Sequence, residues 1–114
     1  MRSLRNKDLF AFTRMVKEAG IDQEIKALVM KINNIKDISS ESFGYDIMFT
    51  LFNATAEKEN EQKLYNFLSG PFEMDPEEIA EMELTDTYEA LKQVADVNKW
   101  KGFFISAANM TKSN

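Results

Sequence analysis

Apolar residues in this chain recur at intervals of three and four, and each run is closed after a few turns by a helix-capping signal. Leu9, Phe12, Val16 and Ala19 are the first such stripe. That spacing places all four side chains on one face of an α-helix. A short helix with one apolar face must bury it against another element. A succession of such stripes therefore requires a helix bundle. The alternating patterns and Asn-Gly turns that mark β-hairpins are lacking, and the chain has only four glycines. The expected fold is all-α: a compact bundle of six to seven short amphipathic helices. We read residues 1–114 as one domain, with 111–114 as a frayed polar tail. A chain of this length buries roughly two-thirds of its unfolded surface, so a single core needs no covalent staples.

The stripes can be followed along the chain. Asn6 is placed to cap the first helix, with Asp8 in its first turn, and Gly20 stops it so that Ile21 folds back on Val16. Asp22 is expected to cap the next, with the stripe Ile25, Leu28, Val29, Ile32 and Ile35; its β-branched residues keep a strand open for "VMKINNI". Ser39 or Ser40 opens a third helix through Phe43, Ile47, Leu51 and Ala54. Tyr45, Met48, Phe49 and Phe52 make it apolar almost all round, which predicts a place at the centre of the bundle. "TAEKENEQK" is either a loop or the exposed start of a helix that carries Leu64, Phe67 and Leu68 and ends at Gly70-Pro71. "MDPEEI" is the sharpest local signal: Asp75 as N-cap, Pro76 in the first helical position, Glu78 closing a capping box, Met74 and Ile79 as a hydrophobic staple. "DTYE" reads the same way, with Asp86 as cap and Glu89 as its partner. Asn98 is expected to cap the last helix, "NKWKGFFISAANM".

Composition narrows the chemistry. There is no cysteine, so disulfides, thiolate nucleophiles and cysteine metal sites are excluded. Histidine is also absent, and with it the commonest general base and transition-metal ligand. Glu77 and Glu81 stand at i,i+4 in an acidic cluster, but a dimetal site in a bundle requires Glu-x-x-His partners. The cluster is read as a solvated face, no metal or cofactor is expected, and enzyme activity is not expected either. The longest apolar-rich stretch, "FGYDIMFTLF", is too short to cross a bilayer. No signal peptide is recognised, and a cytoplasmic location is expected.

Charge is unevenly spread. Met1 to Lys36 carries eight Lys/Arg against four Asp/Glu, Asp37 to Val97 three against fifteen, and Asn98 to Asn114 three against none. Basic ends around an acidic middle do not form the concentrated basic face that a nucleic acid requires. They suit either a solvated surface or pairing between copies. Met15, Met30, Met48, Met74 and Met82 lie beside the apolar stripes and are read as core filler.

The candidate binding residues lie in the last helix. Trp100, Phe103, Phe104, Ala107 and Ala108 form one face, and Lys99 and Lys101 flank the tryptophan. Two readings stand side by side: the aromatic face docks into the bundle, or Trp100, Phe103 and Phe104, with Lys99 and Lys101, anchor a partner.

The order of these segments carries a resemblance. A charged first helix, "IDQEIKALV", "FGYDIMFTLF", "LYNFLSGPFEMDPEEIAEMELTDTYEALKQV" and "WKGFFISAANM" follow one another. The whole resembles the small tail assembly chaperones of long-tailed bacteriophages and prophages of Gram-positive hosts. The "FLSG…M.PEEI..M.L.D..E.LK" block followed by the "W..FF..A" helix carries most of it. The resemblance implies a non-enzymatic protein that coats the tape measure protein in many copies, keeps it soluble and recruits major tail tube subunits. It also implies self-association, absence from the finished virion and a longer form made by frameshifting. Neither nucleic acid nor membrane is an implied partner. The alternative is a small acidic helical regulator, of antitoxin or anti-repressor type, that binds one globular protein.

Overall fold

Each stripe in the sequence becomes a helix. The computed structural model describes residues 1–34 and 40–111, with side chains outside 32–43 and 58. In chain order the elements are α1 (Asn6–Ala19), α2 (Asp22–Asn34), α3 (Ser40–Ala54), α4 (Lys58–Phe72), α5 (Pro76–Ala80), α6 (Leu84–Val94) and α7 (Val97–Met110). No strand occurs among the described residues, and the fold is an all-α bundle. "VMKINN" is helical, whereas Ile35, Ser39 and the side chains of Ile32 and Phe43 lie outside the described residues, as do 112–114 of the expected frayed tail.

The last helix is the hub. α7 packs on α1, α2 and α3; α1 also packs on α4, α6 on α3, and the short α5 on α4. Phe12 of α1 is fully buried and touches the rings of Phe67, Phe103 and Phe104 at centroid distances of 5.0, 5.3 and 5.5 Å. Such tilted and edge contacts add about 0.5–1.5 kcal/mol each beyond area burial. The buried hydroxyls of Thr13 and Thr55 donate to the carbonyls of Leu9 and Leu51 at 2.8 and 2.6 Å, so neither is left unsatisfied in the core.

Two local signals take their expected form. Gly20 adopts the left-handed conformation (φ 68°), its N–H donates to the Lys17 carbonyl, and the Ile21 N–H donates to Val16. This is a Schellman cap, closed by contact between two buried residues. At Asp75, Glu78 Oε1 accepts the Asp75 N–H at 3.2 Å, Pro76 leads the helix and Ile79 is buried.

Several helix ends differ from expectation. Asn6 and Asp22 are first helical residues rather than caps. At α1 the Asp8 carboxylate instead reaches back to the Arg5 N–H (2.8 Å). α6 starts at Leu84, so Asp86 sits in the first turn and Glu89 pairs with Lys92 at the surface. That earlier start gives the Thr87 hydroxyl the Glu83 carbonyl as acceptor, while Asp86 keeps its favourable place near the positive helix end. Asp96, not Asn98, caps α7: its Oδ1 accepts the Lys99 N–H at 2.9 Å, a charged acceptor at a helix N-terminus. "TAEKENEQK" is mostly helix, α4 beginning at Lys58.

α4 continues through Pro71 to Phe72 instead of stopping at Gly70-Pro71. A proline in the last turn removes a single helical bond, the one its own N–H would give the Phe67 carbonyl, and the helix has only one residue left to run. The Arg2 N–H satisfies the Pro71 carbonyl at 2.9 Å, and Glu73 turns the chain in the left-handed region (φ 55°). Arg2 itself holds the buried Asp8 through two bonds of 2.6 and 2.8 Å. Gly70 lies beneath this pair, 3.1 Å from Arg2 Nη2 and 3.2 Å from Asp8 Oδ1 as measured from where a Cβ would stand. Burial pushes the Asp8 carboxyl up, but hydrogen bonds from Arg2 and the Arg5 amide, with the charges of Arg2 and Lys7, outweigh it and hold it below its ordinary value.

The largest departure is α3. Ile47, Met48 and Leu51 are buried, but Tyr45 is 40% and Phe49 55% exposed, and Phe52 is half-buried. α3 packs on α2, α6 and α7 along one side, and its aromatic side faces out. It is therefore an outer helix, not the centre. Met30, expected in the core, is also exposed, whereas Met15 and Met48 are buried.

Candidate protein-docking surface

Trp100, Phe103 and Phe104 are core residues, with 2%, 9% and 0% of their surface exposed. Of the two readings open for α7, docking into the bundle is the one the structure has. The indole stacks on Phe104 at 5.5 Å, meets Phe103 edge-on at 5.6 Å, and donates from Nε1 to the Leu91 carbonyl at 2.8 Å. Lys99 is exposed and Lys101 half-buried. The five residues do not form one surface. Trp100 forms part of a cleft between α3, α6 and α7, whereas Phe103 and Lys99 line a separate groove beside the start of α1.

The outward face of α3 is built from a ladder of rings. Tyr45 and Phe49 stand one turn apart and their rings lie nearly parallel, 6.1 Å between centroids. Tyr45 stacks in turn on Tyr88 of α6 at 4.2 Å and 6°. Lys92 Nζ sits 4.5 Å from the centroid of the Tyr88 ring, a cation over a π face. The ladder thus runs from solvent at Phe49 into the core at Tyr88, which is 5% exposed. Gly44 makes the close approach possible, since a Cβ there would meet Tyr88 Cε1 at 2.5 Å. The Tyr88 hydroxyl is buried with no hydrogen-bond partner among the described residues.

The cleft adjoins the ladder. It encloses about 410 Å³ and is walled by Ile47, Leu91, Ala95, Val97 and Trp100. Gly44 and Lys92 border it, and both also touch Tyr88, so ladder and cleft form one continuous surface. Sequence reasoning did not single out this face. Its signal was present in "FGYDIMFTLF", where more apolar residues occur than one buried stripe can absorb. A binary pattern cannot tell a central helix from an outer helix with a second apolar face.

Stacking and apolar burial are what this surface offers a ligand; its polar groups lie at the margin, in Lys92, Asp96 and Asn98. Among the described residues no three acidic side chains converge as a metal site would need, and Glu77 and Glu81 are both exposed. No helix of the described residues is long and apolar enough to cross a membrane. Compared with protein-family models, curated proteins and solved structures, the chain matches none.

Proposed function

We propose that this protein is a non-enzymatic tail assembly chaperone of a long-tailed bacteriophage or prophage. It binds the tape measure protein in several copies in the host cytoplasm, keeps it soluble and recruits major tail tube subunits. The observation that carries the reading is the ring ladder of Phe49, Tyr45 and Tyr88 beside an apolar cleft. A groove-and-ladder surface of this kind takes one amphipathic helical segment through spaced anchors, one in the cleft and others along the rings. Covering an aromatic side chain as exposed as Phe49 contributes on the order of 2 kcal/mol before the cost of association. Each contact is then weak. A long partner with repeated apolar stripes turns weak single contacts into high total occupancy. The segment order of the sequence, from "LYNFLSG" to "WKGFFISAANM", supports the same family of partners.

Co-expression with a tape measure protein of the same phage or prophage, followed by light scattering on the purified complex, tests this. Many copies per tape measure chain are expected. A fixed 1:1 or 2:2 complex with a single globular protein overturns it. Phe49→Ser should abolish co-purification and leave the melting temperature nearly unchanged, because the side chain is already half in water.

A further inference from the structure

The ring of Tyr88 serves the fold, but its hydroxyl does not. Tyr88 is 5% exposed, and the hydroxyl has no hydrogen-bond partner among the described residues. The ring stacks on Tyr45 at 4.2 Å, takes Lys92 Nζ over its face at 4.5 Å, and lies against Gly44. A phenylalanine would make the same three contacts. A buried hydroxyl that has lost its water and gained no replacement weakens the free protein.

The hydroxyl stands at the edge of the apolar cleft. Gly44 lines that cleft, and Tyr88 Cζ, the carbon that bears the hydroxyl, is 3.5 Å from where a Gly44 Cβ would be. Other polar groups of the cleft are engaged: Trp100 Nε1 with the Leu91 carbonyl, Lys92 with Glu89, and Asp96 with the Lys99 N–H. Tyr45 covers the Tyr88 ring but is itself 40% exposed. Exposed side chains change rotamer within nanoseconds, and Tyr45 turned outward uncovers Tyr88.

The surroundings define the complementary group. A phenol is stronger as a donor than as an acceptor, so the group is an acceptor oxygen. Ile47, Leu91, Ala95, Val97 and Trp100 offer no solvation to a charge, and the Asp96 carboxylate at the margin repels an anion. The acceptor is therefore uncharged and carried on an apolar body that fills the cleft.

We propose that Tyr88 is a specificity-determining residue of the cleft, its hydroxyl donating to an uncharged carbonyl oxygen of the bound partner. A glutamine side chain supplies such an oxygen, as does a free main-chain carbonyl in the last turn of a partner helix. A partner that brings an apolar side chain without the carbonyl leaves the hydroxyl unpaired and is discriminated against. The inference rests on the reading of ladder and cleft as a docking surface.

The experiment compares the full wild-type chain with Tyr88→Phe. In thermal melts without ligand, Tyr88→Phe should raise the melting temperature by about 4 °C, because an unpaired buried hydroxyl is removed. Binding is then read by NMR titration on the indole N–H of Trp100, which lines the cleft. Acetophenone, a ring bearing one neutral carbonyl, and toluene, a ring without an acceptor, are the probes. Tyr88→Phe should weaken acetophenone about five-fold and change toluene by less than about two-fold. A lower melting temperature for Tyr88→Phe would mean that the hydroxyl is already paired in the free protein, and would overturn the proposal. So would equal effects on the two probes, or no binding of either to the wild type. If Phe49→Ser abolishes co-purification with the tape measure protein while acetophenone ignores Tyr88, the docking reading stands and this inference fails. If acetophenone depends on Tyr88 but no tape measure protein is retained, the inference stands and the chaperone reading fails.

Discussion

Replacing Trp100 by alanine tests whether α7 closes the core. The indole is 2% exposed, packs against Phe103 and Phe104, and donates to the Leu91 carbonyl at 2.8 Å. Truncating a buried Trp to Ala costs about 3–5 kcal/mol, transfer and cavity together. Two features pull the value toward the lower half. The Leu91 carbonyl still accepts the Ala95 N–H, so it is not orphaned. The void also opens into the cleft that Trp100 helps to form, and water can enter it. We expect a loss of about 3–4 kcal/mol. For 114 residues the unfolding entropy is about 0.24 kcal/mol/K, so the melting temperature should fall by about 12–17 °C. Helical circular dichroism is the appropriate probe, because the substitution removes the only tryptophan. Urea unfolding should show a lower midpoint with an unchanged slope. Trp100→Phe, which keeps a ring but loses the bond to Leu91, should cost about 1–2 kcal/mol. A fall of less than about 4 °C for Trp100→Ala, about 1 kcal/mol, would refute the core role. If partner binding were lost at the same time, Trp100 would be an anchor instead.

Three further outcomes follow from the same physics. Gly44→Ala should destabilise by about 1–3 kcal/mol through overpacking against Tyr88, whereas Gly102→Ala, with nothing near its Cβ, should stabilise α7 by up to about 1 kcal/mol; paired thermal melts give both signs. Gly20→Ala forces a Cβ into the left-handed Schellman position and should cost about 1 kcal/mol in urea unfolding. Asp8 binds its proton less readily folded than unfolded, so its contribution is present above the ordinary carboxylate range and fades as pH falls through its lowered folded value. Asp8→Asn should lower stability at pH 7 by about 2 kcal/mol, with Arg2 retaining some access to water, and should flatten the acid limb of the stability–pH curve.

Much of the fold was legible in the sequence, and the residues show why. The Gly20 cap and the Asp75–Glu78 box are built from bonds spanning three to five residues, so the information sits within a short window. The stripe of α7 was equally local, since a spacing of three and four defines which of its side chains share a face. Helix starts were less legible where two candidate caps stood close together. At α7 the choice falls to Asp96, whose carboxylate reaches the Lys99 N–H, and at α6 the earlier start leaves the Thr87 hydroxyl paired with the Glu83 carbonyl.

Tertiary structure decided what lies inside and what faces out. Trp100 is core because α6 supplies the Leu91 carbonyl, and α3 has an open aromatic face because no helix of the described residues covers it. The Pro71 carbonyl, left without a helical partner at the end of α4, is satisfied by Arg2, far off in sequence. The ring ladder required Gly44 and Tyr88 to meet from different helices, and the groove beside the start of α1 required α1 to lie along α7. Periodicity alone determines that a helix has an apolar face. Only the packing of helices distant in sequence determines whether another helix buries that face or leaves it open to a partner.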